Sequence, residues 1–170
     1  MVRDRFSGSR YLVPSGDHVT VAGRAAPASG SRATAPDHEG QALRERASAA
    51  MERAYAPYSR FRVGAALLAS DGSITEGCNV ESAAYPAGIC AERAALASAV
   101  ARGVRTFRAM TIVTSAEEPT PPCGMCRQAL IEFSPELEIV SVTRGGQEAR
   151  WTLADLLPHA FTPRSLDHTE

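Results

Sequence analysis

Three cysteines have the spacing of a catalytic metal site. Cys123 and Cys126 form a Cys-x-x-Cys pair, and Cys90 lies earlier in the chain. At the start of a helix, such a pair directs both sulfurs at one point, and thiolates are common ligands of Zn²⁺. Three protein ligands leave the fourth tetrahedral position open for water, as a catalytic zinc requires. The sequence therefore predicts a Zn²⁺ centre held by Cys90, Cys123 and Cys126.

Glu92 adds a carboxylate beside this centre. It lies two residues after Cys90, close enough to handle protons near the metal and poorly placed to be a fourth ligand. Cys-x-Glu combined with Pro-Cys-x-x-Cys is identified as the motif of zinc deaminases, in which the glutamate is the general acid and base. Glu92 is therefore the predicted catalytic residue.

A Cys-x-x-Cys pair can also be a redox pair or half of a closed structural zinc site. A closed site needs a fourth Cys or His ligand. Cys78 is the remaining cysteine, and His159 and His168 lack ligand-like spacing. The coupled motifs therefore favour catalysis.

Two arginines accompany the ligands. Both ligand groups fall at predicted helix N-termini, where the helix dipole and free N–H groups favour thiolate over thiol. Three thiolates on Zn²⁺ leave a net negative charge, which weakens the metal's pull on its water. Arg93 and Arg127 are expected to bond the sulfurs and withdraw that charge. The alternative is that one or both face solvent.

Length and charge restrict the class of protein. The 170 residues suit one domain with its own core, and 18 basic residues balance 19 acidic ones without a basic stretch. This balance argues against nucleic acid or a membrane surface as partner. No apolar run reaches membrane-spanning length, and residues 1–14 lack the apolar core of a signal peptide. With three cysteines assigned to a metal, a reducing compartment and a cytoplasmic location are expected.

Residues 1–40 are rich in small and polar residues and are expected to form a disordered N-terminal extension. Residues 41–163 are the expected catalytic domain, and residues 164–170 a C-terminal tail. Hydrophobic periodicity predicts helices at 41–54, 90–102 and 123–133, strands at 61–69, 74–80, 107–114, 137–143 and 148–152, and a last helical turn at 153–157. Ala94, Leu96 and Val100 form the expected buried face of the second helix. Gly64 and Gly77 indicate that something approaches the strand backbone closely.

Six segments together resemble the small homotetrameric cytidine deaminases. They are FRVGAA at 61–66, GCNVE at 77–81, YP at 85–86, ICAER at 89–93, PCGMCRQ at 122–128 and LLPHAF at 156–161. The resemblance covers about residues 41 to 163. It implies a three-layer α-β-α sandwich around a mixed five-stranded sheet, an α/β class that the order of the predicted elements also indicates. It further implies zinc-dependent deamination of cytidine or 2′-deoxycytidine in pyrimidine salvage, by a homotetramer with shared active sites.

The resemblance also assigns substrate-binding residues. Asn79 and Glu81 are expected to hold the ribose hydroxyls, and Phe61 to lie near the pyrimidine. Phe161 is expected to reach a neighbouring subunit's site, and the main-chain carbonyl of Ala91 to accept from the attacked amine. Apart from the resemblance, the sequence pattern would place both aromatic residues in the core.

Three positions depart from the family pattern. Ser82 and Ala84 alter polar groups of the substrate loop, and Met125 adds bulk between the zinc cysteines. These departures leave a related alternative open, a deaminase of modified cytosine nucleosides such as blasticidin S, although segments 79–81 and 61–64 favour cytidine. A zinc-stabilised interaction module without catalysis is the alternative from another class, and the presence of Glu92 argues against it.

Overall fold

A computed structural model describes residues 37–166 of the chain. Its elements are α1 (Asp37–Glu52), β1 (Val63–Ala69), β2 (Ile74–Cys78), α2 (Ala91–Ala101), β3 (Phe107–Thr114), α3 (Gly124–Ile131), β4 (Glu138–Thr143), β5 (Glu148–Thr152) and α4 (Leu153–Leu156). Short 3₁₀ turns span Tyr85–Ala87 and Pro163–Ser165. Each predicted helix and strand is present, with its ends shifted by up to a few residues.

The five strands form one mixed sheet in the order β2-β1-β3-β4-β5. Only β3 and β4 pair in parallel, and α3 lies in the connection between them. The other three pairings are antiparallel, and Gly72 closes the β1–β2 hairpin with a positive φ of 88°. A parallel pair needs a crossover of this kind, whereas antiparallel neighbours can join through short turns. The predicted mixed five-stranded sheet is confirmed.

Helices cover both faces of this sheet. Every residue of β1 is buried, because alternate side chains pack into two separate hydrophobic clusters. Ala66 and Leu68 pack with α1, whereas Ala65 and Leu67 pack with residues of α2, α3 and α4. The predicted three-layer α-β-α sandwich is therefore confirmed.

The two hairpin glycines allow the helices to approach this closely. A Cβ atom at Gly64 would lie 2.0 Å from the carbonyl oxygen of Ala47 in α1. On the other face, a Cβ atom at Gly77 would lie 2.4 Å from both the Ala91 oxygen and the Ala95 nitrogen of α2. The close approach indicated by the sequence is thus helix backbone on strand backbone, and it fixes where α2 begins.

Two details differ from the sequence-based expectations. Helix α1 starts at Asp37, so residues 37–40 of the expected extension are helical, while residues 1–36 and 167–170 lie outside the described part of the chain. The fully buried apolar residues of α2 are Ala91, Ala95, Leu96 and Ala99. Val100 is partly buried against the same hydrophobic cluster, in line with the prediction, whereas Ala94 is half-buried and is not among the core residues. The contact of Gly77 with Ala95 turns that side of α2 toward the sheet. Within residues 37–166, no helix is both long and apolar enough to cross a bilayer.

Candidate active site

The starts of two helices bring the three sulfurs together. Cys90 is the N-cap of α2, Cys123 is the N-cap of α3, and Cys126 lies in the first turn of α3. The Sγ atom of Cys123 lies 3.8 Å from that of Cys90 and 3.4 Å from that of Cys126. All three sulfurs lie within 4.8 Å of one another.

These distances fit one tetrahedral zinc ion. With Zn–S bonds of about 2.3 Å, tetrahedral geometry separates two sulfurs by about 3.8 Å. The observed separations are close to that value, and an all-thiolate donor set suits zinc. Cys78 is not part of the cluster. Its Sγ instead contacts the carbonyl oxygen of Arg53 at 3.6 Å. The arrangement can therefore hold a metal with the three predicted ligands.

The environment of Cys90 favours its thiolate form. The pKa of Cys90 falls to about 5, chiefly because the Cys126 thiol hydrogen-bonds to it, with smaller contributions from Cys123 and Arg93. The same hydrogen bond, together with burial, raises the pKa of Cys126. The cluster thus favours the thiolate over the thiol at Cys90, as a metal ligand requires.

The two arginines differ in what they contact. The guanidinium of Arg93 faces Cys90 and Cys126, and Nη2 lies 3.4 Å from the carbonyl oxygen of Gly88. Arg127 instead donates from Nε to the Pro122 carbonyl at 2.7 Å and from Nη1 to the Leu156 carbonyl at 2.9 Å. The structure therefore brings Arg93 to the sulfurs as expected. It places the Arg127 guanidinium on main-chain carbonyls, which corrects the expectation that this group bonds the sulfurs.

Glu92 is buried beside the cluster. It is the second residue of α2, and only 5% of its surface is exposed. Burial raises the pKa of Glu92, and the negative charge of Cys90 raises it further, against a hydrogen bond from Cys126. A carboxyl group with a raised pKa can take up and release a proton near neutral pH more readily than an exposed one.

A cavity of about 660 Å³ opens next to Cys90 and Arg93. This volume falls in the usual range for small-molecule sites. The residues that line it, besides those two, are Tyr58, Ser59, Asn79, Val80, Glu81, Ser82, Tyr85, Pro86, Gly88, Ile89 and Met125. The rings of Tyr58 and Tyr85 meet edge to face, with centroids 6.2 Å apart. The cavity thus joins the sulfur cluster to the predicted sugar-binding residues.

The side chain of Asn79 holds the start of β1 in place through two hydrogen bonds. Its Oδ1 accepts from the Val63 N–H at 2.8 Å, and its Nδ2 donates to the Phe61 carbonyl at 2.8 Å. An amide can make about four hydrogen bonds, so these two leave capacity for a ligand. Sequence reasoning missed Tyr58 and Ser59, whose pattern indicates only the end of the first helix.

The two predicted aromatic residues lie away from this cavity, since neither is among its lining residues. Phe61 is 36% exposed on the segment that Asn79 holds. Phe161 is 58% exposed, and its carbonyl accepts from Gln128 Nε2 at 2.7 Å. The main chain at Phe161 is therefore attached to α3 while its ring faces outward.

The carbonyl of Ala91 is directed away from the cluster. Carbonyl groups of a helix point toward its C-terminus, and Ala91 is the first residue of α2. Its oxygen lies against Gly77, within 2.4 Å of where a Cβ atom would be. The group that Ala91 can offer at the helix start is its N–H, which has no partner within the helix. The structure thus directs this carbonyl toward β2 rather than toward the cluster, in contrast to the expected acceptor position.

Comparison with known proteins agrees with this geometry. The family profile described as "Cytidine and deoxycytidylate deaminase zinc-binding region" matches residues 37–142. The cytidine deaminase of Sporosarcina psychrophila is 47% identical over 120 residues, which are 70% of this chain and 88% of that protein. The cytidine deaminase of Halalkalibacterium halodurans is 43% identical over 128 residues, 75% of this chain and 97% of that protein.

A solved structure extends the likeness to the fold. The crystal structure of cytidine deaminase from Burkholderia pseudomallei shares 50% sequence identity with this chain and has a TM-score of 0.69. The match covers 71% of this chain and 98% of that one. With a profile match over more than half of the chain and a cysteine cluster of zinc-binding geometry, this protein belongs to the zinc-dependent cytidine and deoxycytidylate deaminase family.

Proposed function

We propose that this enzyme deaminates cytidine or 2′-deoxycytidine by hydrolysis, releasing ammonia and the uracil nucleoside, a reaction of pyrimidine salvage. The observation that carries the proposal is the buried Glu92 beside a three-sulfur cluster at the edge of a nucleoside-sized cavity. Relatives named cytidine deaminase, at 43% and 47% identity, support a cytosine nucleoside as the substrate.

Cys90, Cys123 and Cys126 would hold the zinc ion. When bound, Zn²⁺ lowers the pKa of a coordinated water from 15.7 to about 7, and so provides a nucleophile for C4 of the cytosine ring. Arg93 faces two of the sulfurs, where its positive charge offsets part of the thiolate charge.

Glu92 moves the protons of the reaction. Its carboxylate accepts a proton from the attacking water and delivers it to N3, which makes C4 more electrophilic. It then takes the remaining proton from the hydroxyl group that has been added at C4 and delivers it to the departing amine, so one carboxylate acts twice as base and twice as acid. Each transfer contributes about 10²–10⁴-fold. Burial raises its pKa, which brings its proton affinity closer to that of the groups it serves.

Other groups orient the nucleoside. Asn79 and Glu81 line the cavity and have the polarity to bind sugar hydroxyls. The free amide of Ala91, at the positive end of α2, is a donor suited to a carbonyl oxygen of the ring. Met125 is 64% exposed and also lines the cavity, so its side chain bears on which base substituents fit.

A substrate panel tests the proposal. Cytidine, 2′-deoxycytidine, cytosine, adenosine and blasticidin S are each followed by ultraviolet absorbance with the zinc-loaded enzyme. The two cytosine nucleosides should be converted fastest. Conversion of blasticidin S alone would replace cytidine with a modified nucleoside as the substrate, and no conversion of any compound would favour the interaction module.

We further infer a homotetramer in which Phe161 completes a neighbour's site. The hydrogen bond from Gln128 holds the main chain of Phe161 while the ring stays exposed, and several other apolar side chains near the cavity are also exposed. Exposed patches of this kind mark interfaces. Light scattering should give about four times the chain mass of 18.0 kDa, as closed symmetry allows.

The shared site has its own test. Phe161→Ala should raise the KM for cytidine, and mixing that variant with Glu92→Gln chains should restore sites that neither variant has alone. A fully active monomer would refute the shared site. The proposed location is the cytoplasm, where a reducing environment keeps the three cysteines available for metal.

A further inference from the structure

The carboxylate of Glu81 is held by a short segment that the motifs did not single out. Its Oε1 accepts from the Ser59 hydroxyl, and its Oε2 accepts from the Tyr58 N–H at 2.8 Å and the Ser59 N–H at 3.2 Å. Ser59 and Glu81 also both line the cavity. Three donors from two consecutive residues thus fix the orientation of one carboxylate.

The direction of the Ser59 hydroxyl proton is determined by its other partner. Ser59 Oγ accepts from the Phe61 N–H at 3.0 Å. A hydroxyl has one proton to donate, and that proton is directed at Glu81. The pKa of Glu81 is held below its ordinary value, chiefly by this hydrogen bond. Glu81 is therefore an anion that can only accept.

Glu81 lines the cavity and keeps acceptor capacity beyond its contacts with Tyr58 and Ser59. A carboxylate has about four acceptor positions, and the donors from Tyr58 and Ser59 occupy three of them. A sugar hydroxyl is a donor of the right size and polarity for the position that is left. The orientation that Ser59 imposes decides where this position points.

We propose that Ser59 is a positioning residue that aligns Glu81 with a ribose hydroxyl and so favours nucleosides that carry it. This rests on the proposed deaminase function. Ser59 acts through Glu81, so it should affect substrate binding far more than the chemical step. It is also distinct from a residue that only maintains the loop, because its effect should depend on the sugar.

The experiment compares Ser59→Ala with Ser59→Thr, which keeps the hydroxyl, in the zinc-loaded enzyme. Ser98→Ala is the matched control, because Ser98 is an exposed serine on α2 outside the cavity. Two ligands are used: cytidine as substrate, and 2′,3′-dideoxycytidine as a competitive inhibitor of its turnover. Melting temperatures establish that each variant is folded.

Without Ser59 to orient it, the Glu81 carboxylate should lose its hydrogen bond from the ribose hydroxyl. Loss of one hydrogen bond to a charged group corresponds to about a tenfold loss of affinity. Ser59→Ala should therefore raise the KM for cytidine about tenfold with little change in kcat. The inhibition constant of 2′,3′-dideoxycytidine should stay near its wild-type value, because that ligand lacks the hydroxyl. Ser59→Thr should restore the KM, and Ser98→Ala should leave both constants unchanged.

Three results would overturn the assignment of Ser59. They are an unchanged KM in Ser59→Ala, an equal loss of affinity for both ligands, or a failure of Ser59→Thr to restore binding. If Ser59→Ala does not fold, Ser59→Cys takes its place in the same comparison of the two ligands, because a thiol is only a weak donor to Glu81 and should again weaken cytidine binding alone. A wild-type enzyme that converts no cytosine nucleoside would instead refute the proposed function.

Discussion

Replacing Gly77 with alanine should damage the active site although Gly77 itself does not line it. The new Cβ atom would lie 2.4 Å from the backbone of α2 at Ala91 and Ala95, whereas ordinary contacts begin near 3.4 Å. Both neighbours are backbone atoms, so no flexible side chain can move aside. Helix α2 must therefore shift away from β2 by about 1 Å to relieve the overlap.

The size of the effect follows from this shift. Overpacking of this kind costs about 1–3 kcal/mol of stability. For a chain of this length, each kcal/mol lowers the melting temperature by about 2–4 °C. The start of α2 carries Cys90 and Glu92, and a displacement of about 1 Å at a reacting group can reduce turnover by about 10²-fold. Gly77→Ala should thus be moderately destabilised and nearly inactive.

Gly64→Ala is the matched control on the opposite face of the same hairpin. Its Cβ atom would lie 2.0 Å from the Ala47 oxygen of α1, a helix that carries neither a sulfur ligand nor Glu92. Melting temperature, zinc content and kcat per zinc-loaded chain are measured for both variants. Gly64→Ala should lose stability and keep kcat. Wild-type kcat in Gly77→Ala, or an equal loss in both variants, would refute the reasoning.

Three further predictions concern single side chains. Glu92→Gln should retain zinc and lose most turnover, because an amide cannot transfer protons. Burial raises the pKa of Glu92, so ionising it opposes folding, and the melting-temperature advantage of the zinc-free Gln variant over wild type should grow as pH rises above 4.5. Cys78→Ala should still bind one zinc ion per chain by elemental analysis. Arg127→Leu should lower the melting temperature at unchanged zinc content, and loss of zinc would return Arg127 to the sulfurs.

Much of the fold and the metal cluster could be predicted because their signals are local. The Cys123 and Cys126 spacing, followed by a helical pattern, predicts two sulfurs at one helix start. Alternating and continuous apolar runs predicted all five strands. Gly64 and Gly77 even indicated a close backbone approach, although only the structure shows that it comes from two different helices on opposite faces.

The features that could not be predicted depend on the direction in which a group points, and not on its position in the sequence. The resemblance assigns the Ala91 carbonyl to the substrate, but helix geometry directs it toward Gly77. Tyr58 and Ser59 gave no signal beyond a turn, because their contact with Glu81 spans more than twenty residues of sequence. Contacts between residues so far apart in sequence form only when the chain has folded, so a local sequence pattern does not indicate them.

The contrast between the two arginines has the same origin. Each ligand helix begins with an N-cap cysteine, and the residue three positions later lies nearly one turn on, on the same side of the helix. On α2 that residue is Arg93, which therefore faces the sulfurs. On α3 it is Cys126 itself, so Arg127 is rotated by about 100° away from the cluster and meets main-chain carbonyls instead. Two similar helix starts thus direct three sulfurs and one guanidinium at a single point, because the α3 position that matches Arg93 is occupied by a ligand cysteine.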